Sequence, residues 1–178
     1  MHCLFFDVLP KPGHMVHYFD HVARLKPVLE QHQGLVFLDR YRPLDAPDAI
    51  LSHQLWADEA AIAAWRADST HRASQSAGRK VHFETYRIRV GVEVSQDPAS
   101  DETGRFLLAA YGTAPANLEG ARSHESVNHP GRFVTLASHE TLGSAATAAA
   151  VASGAGETRI FRILRDYTLT DRAEAPQP

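Results

Sequence analysis

The chain has 178 residues, 44% of them hydrophobic, with a net charge of -3 and one cysteine. That is enough apolar content for one domain, or two small ones, around an ordinary core. It offers no basic stripe for nucleic acid, no apolar run near the roughly 20 residues of a membrane helix, and in Cys3 alone no internal disulfide framework.

Met1 leads within two residues into the strand-like CLFFDVL, with no basic n-region or small-residue cleavage site, so a cytoplasmic protein is expected. Leu4 to Leu9 reads as a buried strand, stopped by Pro10, Lys11, Pro12 and Gly13. From His14, the apolar residues Met15, Tyr18, Val22, Leu25 and Leu29 recur at helical spacing up to Gly34, a C-terminal cap, with Pro27 inside the helix as an expected kink. Leu35 to Tyr41 and Ala49 to Trp56 read as strands, and in the second Leu51, His53 and Leu55 share a face. Asp58 can cap a helix that carries Ile62 and Trp65, breaks at Asp68 and Ser69, and restarts as a short helix ending at Gly78. A strand from Tyr86 to Val94 completes the order βαββαβ, the ferredoxin-like unit.

The composition then shifts to SQDPASDETG, which reads as a linker over residues 96–104. Beyond it lie a strand from Phe106 to Tyr111, a TAPANLEG segment where a full helix would stand, and a hairpin through Asn128, His129, Pro130 and Gly131. A strand from Phe133 to His139, an Ala-rich helix from Ser144 to Ala152 and a strand from Thr158 to Leu169 follow. His139 followed by its Ala-rich run echoes His53 followed by the run from Ala60, so the second half reads as a trimmed copy of the first. The expected organisation is a first unit over residues 1–95, a degenerate second unit over 105–170 and a disordered tail over 171–178. Two ferredoxin-like units each leave a sheet face to be covered. Packing the two antiparallel sheets together predicts an α+β fold, a pseudo-dimeric α+β barrel within one chain. A monomer is compatible with this, and so is a homodimer formed through the sheet edges.

PKPGH at 10–14, ARLKPVLEQHQGLVFLDRYRPLDAPD, SHQLWADEAAIAAWR, THRASQSAGR and FETYRIRV together resemble the antibiotic biosynthesis monooxygenase domain family of the dimeric α+β barrel superfamily over residues 2–94. A weaker resemblance extends over 105–170 through the internal repeat. It implies one of several activities: cofactor-free oxygenation of anthrones and quinols, haem degradation, isomerisation of small ketones, or none. The anthrone oxygenases carry Asn, Trp and Tyr on a helix, at places that correspond here to Ala61, Trp65 and His71. The orienting amide is therefore missing at Ala61. The axial His of the haem-degrading relatives corresponds to Gln75, a poor iron ligand, which argues against haem.

His53 interrupts an apolar face, so its imidazole is expected to point towards the helices and share a pocket with Trp65 and His71. A histidine poised near neutral pH can remove a phenolic or enolic proton, leaving an electron-rich anion that reacts with oxygen. Tyr18 and Phe19 would add a wall from the first helix, and Leu51, Leu55 and Ile62 the apolar lining of a substrate site. His139 is expected at the equivalent place in the second half, in a structural role. His14, His17 and His21 fall at i, i+3 and i+7 on the first helix. Flanking the apolar stripe with no carboxylate or Cys fixed beside them, they read as a solvated helix edge and not a metal site. Arg87 and Arg89 read as the polar face of the last strand, and Trp56 as a core residue. The resulting expectation is an oxygenase of a small aromatic, quinol- or anthrone-like molecule that uses no metal or organic cofactor. The alternatives are an isomerase of a small enolisable ketone, or a non-catalytic protein that binds a small ligand or itself.

Overall fold

The structure, a computed structural model, describes residues 1–176. The first half contains β1 (His2–Pro10), α1 (Met15–Glu30), β2 (Leu35–Pro43), β3 (Ile50–Trp56), α2 (Glu59–Ala67), α3 (Ser69–Ala77), a π-helical turn (Gly78–His82) and β4 (Phe83–Val94). The second contains β5 (Thr103–Gly112), β6 (Arg122–Ser126), β7 (Phe133–Thr141), α4 (Leu142–Val151) and β8 (Glu157–Thr168). None of these helices is long and apolar enough to cross a membrane.

Aspartates punctuate the first half as their chemistry requires. Asp58 accepts a hydrogen bond from the Ala61 N–H at 2.8 Å to start α2, and Asp68, extended in ψ, ends that helix and accepts from the His71 N–H at 2.9 Å to start α3. Gly34 is not the cap of α1, which closes at Gln31. With φ of +87° it turns the chain into β2, where a Cβ would lie 2.6 Å from that of Ala61.

All strands are antiparallel. The first half has the order β4-β1-β3-β2 and the second β8-β5-β7-β6, the same arrangement twice. Each sheet has two outer strands, and these pair with those of the other: Tyr41 opposite Ser126 joins β2 to β6, and Gly91 opposite Ile163 joins β4 to β8. The result is one closed eight-stranded α+β barrel, the pseudo-dimeric architecture expected. Closure pairs every strand on both sides and removes the sheet edges that homodimerisation by strand pairing requires. A loop over 113–121 replaces the first helix of the second half. It is held by the Ala116 N–H, which donates to Thr135 Oγ1 at 3.0 Å.

The two sheets share a core inside the barrel, built from Cys3, Phe5, Leu51, Leu55, Leu107, Ala109, Val134, Leu136, Phe161 and Ile163. Outside it, Leu29, Trp56, Ile62, Trp65 and Val90 pack the first-half helices against the sheet, and Phe106, Leu108, Leu142, Ala145 and Ile160 pack α4. Arg87 and Arg89, expected on an ordinary polar strand face, project to one end of the barrel interior. There Arg89 pairs with Asp7 at 2.9 Å and Arg87 with Asp166 at 2.6 Å. Residues 171–176, expected within a disordered tail, fold back, with Glu174 on Arg105 and Arg172 donating to the Tyr86 hydroxyl at 2.6 Å. The last two residues of that segment lie outside the described residues.

Phe161 is fully buried where both sheets meet. Truncation to Ala removes its apolar contacts and leaves a cavity, so Phe161→Ala is expected to lower unfolding stability by about 3–5 kcal/mol in urea titrations, in a single transition spanning both halves.

Candidate functional site

β3 decides which side chains meet. Its period-two alternation sends Leu51, His53 and Leu55 to one face as expected, but that face is the barrel interior and not the helix side. Ser52, Gln54 and Trp56 take the helix side, where Trp56 donates to Gln54 Oε1 at 3.1 Å. His53 is consequently separated by the sheet from Trp65 and His71, and the three do not form one pocket.

Inside the barrel, His53 is fully buried and stacks on its cross-strand partner Phe5, the rings 4.1 Å apart and 3° from parallel. Its Nδ1 faces the Leu4 carbonyl at 3.4 Å and its Nε2 meets the Tyr111 hydroxyl at 2.7 Å. A carbonyl can only accept, so the neutral ring carries its proton on Nδ1, and Tyr111 donates to Nε2. Burial holds the Tyr111 hydroxyl well above its ordinary pKa, consistent with donation. Burial also pushes the imidazole down to about 3, outweighing the help of the Leu4 carbonyl. The expectation of a base poised near neutrality is corrected accordingly, because desolvation dominates at this site.

Tyr111 forms part of the wall of an open cavity of about 480 Å³ at one mouth of the barrel. Phe37, Leu38, Leu55 and Phe133 give it an apolar lining, and Asp39, Glu157, Arg159 and Arg132 bring charge. Arg159 is tied to Glu157 at 2.6 Å, whereas Arg132 lies exposed at the rim. Asp39 is committed elsewhere, accepting from Ser126 Oγ, Asn128 Nδ2 and the Arg40 N–H. Of the expected substrate residues only Leu55 lines this cavity, while Leu51 is barrel core. Tyr111, near the end of β5, is a site residue that the sequence motifs do not single out. The alternation Leu107, Ala109, Tyr111, with a hydroxyl closing an apolar face, was the available signal.

On the helix side, Trp65 and His71 do come together. Their rings stack at 4.1 Å, with His71 Nδ1 donating to the Trp65 carbonyl at 2.9 Å and His32 edge-on to the indole. Ile62 packs in the same cluster and Trp65 is only 3% exposed, so the indole is engaged as a packed core group. Tyr18 and Phe19 meet each other edge to face in a separate cluster with Val8, Ile50 and Tyr86. His139 faces outward from β7, opposite Phe106 of the α4 cluster, whereas Leu136 and Val134 face the interior. Counted from the N-caps Asp58 and Thr141 that follow the two strands, the counterpart of His53 is Leu136, so His139 lies on the opposite face and is not the counterpart of His53.

Comparison with known proteins gives the class. The family model described as antibiotic biosynthesis monooxygenase matches residues 1–77. The chain is 30% identical, over 215 aligned positions, to the jasmonate monooxygenase ABM of Pyricularia oryzae, covering 99% of this chain and 97% of that protein. Among solved structures, an antibiotic biosynthesis monooxygenase is similar at 14% identity over 53% of this chain and all of its own, with a TM-score of 0.48. A Pseudomonas aeruginosa protein is similar at 15% identity over 53% of this chain and 94% of its own, with a TM-score of 0.47. The chain belongs to the antibiotic biosynthesis monooxygenase family.

The low pKa of His53 has a measurable cost. Its folded value lies below the ordinary 6.5, so the folded state binds fewer protons than the unfolded chain as pH falls. The stability is present above about pH 6.5 and is lost as pH drops towards 3, by up to about 1.4 kcal/mol per pH unit. His53→Phe keeps the stack on Phe5 and removes the titration. Urea unfolding between pH 7 and pH 4 is expected to show a flatter stability curve for this variant, with the other histidines depressed by burial, His71 and His124 among them, contributing to the slope that remains.

Proposed function

We propose that the protein is a monooxygenase of a small, mainly apolar molecule with an acidic enol or phenol, bound in the barrel mouth with that oxygen or carbon against Tyr111. The observation that carries this reading is the Tyr111–His53 hydrogen bond at the wall of a cavity of about 480 Å³, a volume suited to a small organic ligand. Because Tyr111 spends its proton on His53 Nε2, its oxygen lone pairs are free to accept from a substrate. A substrate proton moving to Tyr111 as the tyrosine proton moves to His53 forms a substrate anion and an imidazolium without a free tyrosinate.

The cost of charging buried His53 slows such a transfer without forbidding it. With His53 near 3 and a phenolic proton near 10, the transfer costs about 10 kcal/mol. A barrier of about 17 kcal/mol still permits roughly one turnover per second. Arg159 beside the cavity faces the substrate anion, but its pairing with Glu157 and its repulsion of a charged His53 offset that gain.

Two substrate classes are supported and differ in electron balance. An anthrone methylene supplies all four electrons that oxygen takes, becoming a ketone as oxygen delivers one atom to it and one to water, so no reductant is required. The relative's name points to a jasmonate, a keto acid without a phenol, on which the relay would have to act at the far less acidic carbon beside the ketone, and whose carboxylate suits exposed Arg132. Inserting a single oxygen atom there leaves two electrons to be drawn from a reductant such as a nicotinamide.

Oxygen uptake and product mass measured with an anthrone, a quinol and jasmonate, each with and without NADPH, test the reading. Turnover of at least one is expected, and Tyr111→Phe is expected to lower its kcat/KM by about a hundredfold or more. For jasmonate, Arg132→Ala is expected to raise KM by up to about fivefold, the loss of one exposed rim ion pair, with kcat unchanged. Full activity of Tyr111→Phe would remove the barrel mouth as the reaction site, and silence of the whole panel would favour the ligand-binding alternative.

A further inference from the structure

The histidines of α1 do not stand alone. The chain returns after α3 through the π-helical turn, and His82 at its end meets His14 with Nδ1 to Nδ1 at 3.0 Å. The His82 ring centroid also lies 4.8 Å from that of His17, and 5.5 Å from that of His21. One ring nitrogen from each of His14, His17 and His82 lies within 4.8 Å of the other two. A tetrahedral zinc with nitrogen ligands at 2.0–2.1 Å holds those nitrogens about 3.3 Å apart, so small side-chain rotations close the set.

Three features show that this convergence is built. His14 occupies the N-cap position of α1, yet makes no capping hydrogen bond and turns its ring to His82 instead. The Lys11 N–H donates to the His82 carbonyl at 2.9 Å, fixing the loop before α1 to the end of the turn. The turn is of the rare π type and begins at Gly78, where a Cβ would lie 2.4 Å from the Phe83 ring, so glycine is what allows it to pack there. A solvated helix edge requires none of these.

The geometry points to a divalent transition-metal site formed by His14, His17 and His82, which clamps α1 to the turn that leads into β4. Three imidazoles select zinc and its nickel, cobalt and copper neighbours over magnesium or calcium. His21 turns its Nδ1 to Ser74 Oγ at 3.2 Å, and the Asp20 carboxylate is 3.8 Å from His17 Nδ1, within reach as an outer partner. The exposed side of His17 leaves the fourth position to water. The second half has no helix in place of α1, and so no counterpart of the site. The site is on the helix side of the sheet and does not depend on the barrel-mouth reading.

The test uses the full chain, freed of any histidine tag and treated with chelator, then titrated with zinc and with cobalt by calorimetry, visible absorption and thermal unfolding. Saturable binding of one ion per chain is expected, with a rise in Tm that magnesium does not reproduce. His82→Ala is expected to weaken zinc at least about tenfold, the least that loss of even an outer partner costs. His139→Ala should bind as the parent chain does. If His82→Ala fails to fold, His17→Gln, on an exposed side chain, carries the same expectation. Non-saturable binding, equal response to magnesium, or zinc affinity undiminished in the folded His82 or His17 variant would overturn the assignment.

Discussion

Edge pairing between the two halves is the constraint from which the remaining features follow. A four-stranded antiparallel sheet with helices on one face leaves its other face bare and two strand edges open. Here β2 pairs with β6 and β4 with β8, so both faces are buried and both edges disappear in one step. Leu107, Val134, Leu136 and Phe161 of the second half fill the space against Phe5, Leu51 and Leu55 of the first. The duplicated half thus contributes core even though it has lost a helix. That loss is tolerated because the missing helix lay outside the barrel, where the 113–121 loop and α4 cover the sheet.

The same closure sets the chemistry. A histidine on a half-exposed strand would titrate near its ordinary value. Enclosed between Phe5, Phe37 and Phe161, His53 cannot be charged cheaply, and its one strong partner is a tyrosine supplied by the other half. The Tyr111–His53 pair therefore exists only because the two halves close into one barrel. The barrel is graded along its axis: ion pairs of Asp7 with Arg89 and Asp166 with Arg87 at one end, aromatic packing in the middle, and the open cavity at the other mouth.

Much of the fold was legible residue by residue. Asp58 and Asp68 announce two helix starts, Pro10 to Gly13 stop a strand, and the hairpin at Asn128 to Gly131 joins β6 to β7. The site was less legible. β3 is buried on both faces, so an apolar alternation with one histidine in it carries no mark of which face meets helices and which meets the other sheet. Trp65 and His71, close in sequence, stack on each other, whereas His53, close in sequence too, lies across the sheet from them.

Local chemistry in the sequence determined the strands, helices, caps and the repeat, and with its family-specific blocks it determined the class of protein, because those depend on residues a few positions apart. Tertiary structure alone decided the inward turn of His53, the arrival of Tyr111 at its Nε2 and the delivery of His82 to His14 and His17. Each of these joins residues that only barrel closure or the π-helical turn brings together. For His53 the physical reason is that strand periodicity fixes which side chains share a face, while long-range packing fixes what that face meets.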